Sequence, residues 1–270
     1  MKTSQASAFN FTLGIIGYGN MAQAIYSGMK QKPKKTYIVD KDPNKSKKNA
    51  PTTFFCDLET LFTKSDIILI AVKPQHLQQL VTSIPTNKNV CIVSILAGVT
   101  LKQLEQSFPP NQAIIRCMPN TAIRVQSGST AYCQNKHCRK EDIERLKHLF
   151  EQASLLKEIH EEDMNLFTAL CASSPAFFYQ IIHDLCQHQS TSLTTKDCQS
   201  LASQSMLGAA KMMLQDPRPL QELINEVTSA KGCTDAGLQR YKKEGLPEKL
   251  TAVINDCIHR AKELGKENQA

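Results

Sequence analysis

The stretch FTLGIIGYGNMAQAI, residues 11–25, decides how the chain is read. An apolar run ends at Gly17, Gly17-x-Gly19-x-x-Ala22 follows, and Met21, Ala22, Ile25 and Met29 then recur at helical spacing. The order is strand, tight turn, helix, which is the context the G-x-G-x-x-A dinucleotide fingerprint requires. Gly17 is expected to make the turn. Gly19 lets the backbone approach a pyrophosphate, and Ala22 lets the helix lie close on a sheet. Asn20 and Met21 open that helix, whose first N–H groups and dipole favour the anion. A lone motif of this kind also fits an ordinary strand–helix turn, so the rest of the chain must decide.

Outward from this turn the first half alternates strand and helix. Short apolar runs stand at 36–40, 53–56, 66–72, 90–96 and 113–118, separated by the helical stretches DLETLFTKS, LQQLVTSI and LKQLEQSF. Near-continuous apolar strands in βαβ order predict a parallel sheet covered on both faces. TAYC and LLKEI add strands at its far edge, with the helix RKEDIERLKHLFEQA between them. From about residue 161 strand signals stop, and helical periodicity runs through 161–189, 195–215, 235–244 and 247–265. The expectation is an α/β Rossmann-like dinucleotide-binding domain, residues 1–160, followed by an all-helical domain, 161–270.

Composition narrows the classes. With 270 residues, 41% hydrophobic and 21% charged, the chain suits one or two soluble globular domains. It carries no apolar run long enough for a membrane span and no signal-peptide core, which predicts a cytoplasmic protein. Ten scattered cysteines lack any C-x-x-C pair, and Cys133, His137 and Cys138 form the only local cluster. They read as reduced core thiols with no metal site. The net charge of +7 is concentrated in MKQKPKKTYIVDKDPNKSKK. No aromatic or glycine pattern of a nucleic-acid module accompanies that run, so a solvated face beside a phosphorylated cofactor is the better reading.

Six short motifs then fall in order: GYGNMA, AVKPQ (71–75), ILAG (95–98), MPNT (118–121), ASSPAF (172–177) and VTSAKGCT (227–234). Together they resemble the pyrroline-5-carboxylate reductase family over nearly the whole length. The resemblance implies reduction of L-1-pyrroline-5-carboxylate to L-proline by NADPH or NADH, with hydride passing to C5 of a protonated cyclic imine. It also implies an intertwined homodimer or larger homo-oligomer through the helical domain, each active site using the sheet domain of one chain and helices of its partner.

The physical reading of each motif fits. Ala71, Val72, Lys73 and Pro74 end a strand at the carboxyl edge of a parallel sheet, and Pro74 turns the chain over the crevice. By resemblance this loop touches the ribose and adenine side of the cofactor. Ala97 and Gly98 are small enough to admit a nicotinamide ring near the backbone. Met118 and Pro119 lead to Asn120 and Thr121, whose polar groups can face the ring and the substrate. Asp40, 23 residues after Gly17, suits a ribose 2′-OH and opposes a 2′-phosphate, whereas Lys41 and Lys45 can pair with that phosphate. The balance leans slightly toward NADH, and both cofactors stay open.

By resemblance Ser229, Gly232, Cys233 and Thr234 grip the substrate carboxylate at a helix N-terminus. Thr234 is the catalytic candidate, bonding the ring nitrogen, and its plainer role is a helix N-cap. Glu161 matches a cofactor-contact position, and its plainer role is a solvated acid at a helix start. Three departures from the family pattern stand at the substrate side. Lys231 and Ala172 replace glycines, and Phe177 replaces a tyrosine. A lysine at 231 is strained if that position needs a positive φ. The alternatives are another imine or hydroxyacid reductase of the same fold, or a non-catalytic nucleotide-binding homologue. The hydroxyacid type carries a catalytic lysine on the first helix of its second domain, and residues 161–178 contain none.

Overall fold

The computed structural model describes residues 10–42, 52–85, 90–187 and 192–267. Lys45, one of the two lysines expected near a 2′-phosphate, lies outside them.

Among the described residues eight strands form one sheet in the order β3-β2-β1-β4-β5-β6-β7-β8. They are β1 (Thr12–Ile16), β2 (Lys35–Val39), β3 (Thr53–Phe55), β4 (Ile67–Ile70), β5 (Cys91–Ser94), β6 (Ile114–Pro119), β7 (Gly128–Gln134) and β8 (Ser154–Glu158). The first six run parallel, with β1 between β2 and β4. The order therefore reverses beside β1, the position at which doubly wound sheets open a ligand crevice.

Side chains alternate across this sheet because successive Cβ atoms point to opposite faces. Ile67 and Leu69 of β4 join one core cluster, and Ile68 and Ile70 join another. The first is closed by Ala22 and Ile25 of α1 (Asn20–Gly28) and by Leu146, Leu149 and Phe150 of α5 (Lys140–Phe150). The second is closed by Leu61 and Phe62 of α2 (Leu58–Lys64) and Leu104 of α4 (Leu101–Ser107). Leu77 of α3 (Leu77–Val81) belongs to the same layer. Burial on both faces explains why these strands read as unbroken apolar runs.

The two far-edge strands expected from TAYC and LLKEI are present, and the sequence reading left their direction open. β7 runs antiparallel to β6, and β8 runs parallel to β7, so the last two strands are reversed against the first six. The cause is the link between β6 and β7. It is residues 120–127, folded as a 3-10 turn at Thr121–Val125 that ends at Gln126 with φ 57°. A parallel return needs a crossover of about a dozen residues or more, so this shorter link can only fold back.

The chain divides into two compact units, residues 1–173 with 257–270, and residues 174–256. In the first, the segment after β8 forms a 3-10 turn (Glu161–Asp163), the short α6 (Met164–Phe167) and a π-helical stretch (Thr168–Ser173). The second comprises α7 (Ser174–Leu185), α8 (Thr195–Gln215), α9 (Leu220–Glu226), α10 (Cys233–Lys243) and the opening part of α11 (Leu246–Glu267). The closing part of α11, from Cys257, belongs to the first unit. Among its described residues the helical unit buries only Ser174 and Cys186.

Candidate functional site

The carboxyl edge of the parallel strands carries a cleft of about 400 Å³. Gly17, Gly19, Asp40, Lys41, Ala71 and Lys73 line it. These residues, spread between positions 17 and 73, are brought together because β1, β2 and β4 end side by side. Leu58, His76, Gln79, Leu80 and Ser83 complete the wall. Reading the sequence missed these five. They come from the turns and helix faces that follow each strand, and only His76 lies in a turn that a proline, Pro74, marks.

The glycine turn has the form that phosphate binding needs. Gly17 sits at φ 86°, and a Cβ there would stand 2.9 Å from the Ala71 backbone, so no side chain is tolerated. Gly19 is different: a Cβ there would meet nothing within 4 Å. Internal packing does not demand that glycine, and the space above it is open to a ligand. Gly19 is also the N-cap of α1 and offers no side-chain cap, and the first turn of α1 holds no acid. Its leading N–H groups therefore have no side-chain acceptor and suit an anion. Asn20 is exposed at this turn, whereas Met21 packs partly against the core beneath it.

Asp40 follows β2 and faces the same cleft. Its carboxylate accepts from the Tyr18 N–H at 2.5 Å and the Asp42 N–H at 2.8 Å, tying the acid to the glycine turn. Lys41 donates to Gln79 at 3.2 Å across the opening. Val72 also lines the cleft, and Pro74 starts the 3-10 turn Pro74–His76 behind an exposed Lys73.

Further along the edge, Gly98 has φ 75° and lies beside exposed Ala97, between β5 and α4. Met118 and Pro119 belong to β6 itself, not to the loop after it. Both are buried, and Met118 packs with Ala131, Cys133 and Met164. Asn120 is 7% exposed and committed inside the fold. Its Nδ2 donates to the Cys171 carbonyl at 2.9 Å, and its Oδ1 accepts from the Ser129 N–H at 3.2 Å. Its amide fixes where the loop sits. Thr121 stays exposed.

Glu161 is not the solvated acid of its plainer reading. It pairs with the Arg116 guanidinium, accepts from the Leu101 N–H at 3.1 Å, and accepts from the Cys133 thiol at 2.8 Å. One carboxylate thus links β6, β7 and the start of α4. Arg116 is 3% exposed, and this acid compensates its buried charge. Burial first, and then the hydrogen bond to Glu161, push the Cys133 thiol well above its ordinary pKa.

In the helical unit, α10 starts at Cys233 with Gly232 as N-cap, so Thr234 stands one position inside the helix and is exposed. The N-cap role expected for Thr234 belongs to Gly232. A Cβ at Gly232 would collide with the Ser229 side chain, and the Gly232 N–H donates to the Ser229 carbonyl at 3.0 Å. Lys231 does adopt a positive φ, 61°. Its N–H donates to Asp235 at 3.1 Å, and Gln239 donates to the same oxygen at 3.1 Å. The N–H groups of Cys233, Thr234 and Asp235 have no acceptor within the helix, since they precede its first full turn. Ala172 lies in the π-helical stretch and packs against the cluster around Met118.

Comparison with known proteins agrees with this geometry. Residues 12–98, from β1 through the Gly98 loop, match a family model described as NADP oxidoreductase, coenzyme F420-dependent. Residues 161–264 match one described as pyrroline-5-carboxylate reductase dimerisation. The pyrroline-5-carboxylate reductase of Aquifex aeolicus is 31% identical over 93% of this chain and 97% of its own. That of Synechocystis is 31% identical over 94% and 98%. A crystal structure of Plasmodium falciparum pyrroline carboxylate reductase with NADP bound superposes with TM-score 0.85 at 26% identity, covering 96% of this chain and all of that one. With two such relatives matched end to end, the chain belongs to the pyrroline-5-carboxylate reductase family.

Proposed function

We propose that this chain reduces L-1-pyrroline-5-carboxylate to L-proline with NAD(P)H. The observation that carries the reading is the alignment of four loops, at Gly17–Gly19, Ala71–Pro74, Ala97–Gly98 and Asn120–Thr121, along the carboxyl edge of one sheet. They do so in a chain similar over its length to reductases of that name.

Bound NAD(P)H supplies the hydride, and the chain supplies placement. The Gly17 turn and the first turn of α1 hold the pyrophosphate, and Asp40 with Lys41 discriminates at the ribose 2′ position. The open backbone at Ala97 and Gly98 leaves room for a flat ring. The N–H groups that open α10, with Ser229 and Gly232 shaping the approach, suit the substrate carboxylate. An imine carbon accepts hydride readily only when its nitrogen carries a proton. The exposed Thr234 hydroxyl, accepting from that N–H, keeps the proton in place.

The helical unit buries almost nothing by itself while exposing Phe178, Tyr179, Leu201, Met212, Met213 and Leu214. So much apolar surface on so small a unit favours burial against a second copy, in keeping with the family model matched there. The test is a steady-state assay with five- and six-membered cyclic imine carboxylates and both cofactors. The expected result is a higher kcat/KM for the five-membered ring. Oxidation of neither cofactor with either imine would overturn the reading.

A further inference from the structure

The Gly98 loop is held from behind by the last turns of the chain. The residue between them is Gln103. Its Oε1 accepts from the Thr100 N–H at 2.6 Å and from the Thr100 hydroxyl at 2.8 Å, while its own N–H donates to Thr100 Oγ1 at 3.2 Å. That is a capping box, whose N-cap Thr100 stands two residues after Gly98 and opens α4. The other end of the same amide does something a cap does not require. Its Nε2 donates to the Gly265 carbonyl at 3.1 Å, in the last turn of α11. The orientation of the amide is fixed by its partners, since an N–H can only donate and a carbonyl can only accept.

Gly265 also lies beside the loop. A Cβ on it would stand 3.4 Å from the Gly98 carbonyl oxygen. The Leu101 N–H, at the other flank, is taken by Glu161. Residues 98–101 therefore have two hydrogen-bonded supports: the Gln103 amide, itself tied to the Gly265 carbonyl, and the Glu161 carboxylate. Only one of these is local in sequence. We propose that Gln103 and the terminal turn of α11 position the Gly98 loop for the nicotinamide end of the dinucleotide, so that the end of the chain acts on the cofactor site. Gln103 is a positioning residue here, acting through Gly98, and the proposal rests on the reading of that loop as the nicotinamide seat.

Gln103→Glu separates positioning from capping. A glutamate keeps the capping box, which accepts Glu as well as Gln at that place, but sets a carboxylate against the Gly265 carbonyl where a donor was. The readouts are NAD(P)H affinity, turnover with pyrroline-5-carboxylate, melting temperature, and affinity for ADP-ribose or its 2′-phosphate, which lack the nicotinamide ring. Displacing the loop by a fraction of an ångström should weaken NAD(P)H binding and turnover by about threefold to tenfold and leave ADP-ribose binding unchanged. Gly265→Val, which crowds the Gly98 carbonyl without touching the cap, should give the same selective loss. Parent-like NAD(P)H affinity and turnover in both variants overturns the proposal. So does an equal loss for ADP-ribose, the mark of general damage to the sheet edge. Ala97→Leu distinguishes the underlying reading, since its exposed side chain adds bulk over the loop without filling the core. If it leaves NAD(P)H binding intact, the loop is not the nicotinamide seat. If it impairs binding while Gln103→Glu does not, only the positioning role falls.

Discussion

Three single residues yield direct tests. Because Gly232 takes the N-cap, Thr234→Val removes a hydroxyl without removing a cap, and stability should change by less than about 0.5 kcal/mol. If that hydroxyl bonds the imine nitrogen, kcat/KM should fall about tenfold or more, with Thr234→Ser retaining most activity and NAD(P)H affinity unchanged. Equal activity in the valine variant would assign the proton to solvent or another group. Lys231 occupies a left-handed backbone position at φ 61°, so Lys231→Gly should stabilise the protein by about 0.5–1 kcal/mol in a denaturant titration. Asp40 faces the cleft, so Asp40→Ser should raise the NADPH-to-NADH ratio of kcat/KM. It should also weaken both cofactors, since the Tyr18 N–H loses its acceptor. An unchanged ratio would remove Asp40 from cofactor choice. The glycine turn was legible in the sequence because its chemistry is local, and Asp40 because it stands at the end of the second strand of a βαβ unit. The internal commitments of Asn120 and Glu161 were not, because their partners lie far along the chain.

At the scale of elements, the buried tie between β6 and the start of α4 predicts an asymmetry. Glu161→Ala strands a guanidinium whose side chain is 4% exposed, whereas Arg116→Met leaves an acid whose side chain is 34% exposed and can rehydrate. Breaking the pair from the acid side should cost about 3–5 kcal/mol, and from the arginine side distinctly less, by equilibrium unfolding. Equal costs would mean that water reaches Arg116. The strands and the long helices were read from the pattern with ends within a few residues, as at 195–215, because periodicity over many residues is a strong signal. The helix α9 escaped, and one stretch inside the helical reading 161–189 differs in kind. α9 is seven residues long behind Pro219 and has no side-chain cap, so it offers neither length nor a start signal. The π-helical stretch at Thr168–Ser173 differs from an α-helix only in hydrogen-bond spacing, which leaves no mark on hydrophobic periodicity.

For the whole molecule, light scattering at micromolar concentration should give at least a dimer, since α8, α9, α10 and α11 bury no residue on their own. A monodisperse monomer would contradict this. The sheet was legible as an α/β layer, and the direction of its last two strands was not. Direction depends on the length and path of one connection, and the apolar content of the strands is silent on it. That reversal has an engineering consequence. It places the amino ends of β7 and β8 on the same rim as the cofactor loops, and sends the turn after Gln134 to the opposite rim, where Lys136 is exposed. The opposite rim carries none of the cofactor loops, and its exposed turn at Lys136 offers a port for cargo. A fluorescent reporter spliced between Lys136 and His137 should leave turnover near the parent level, while the same splice at Ser127, one residue before β7, should abolish it.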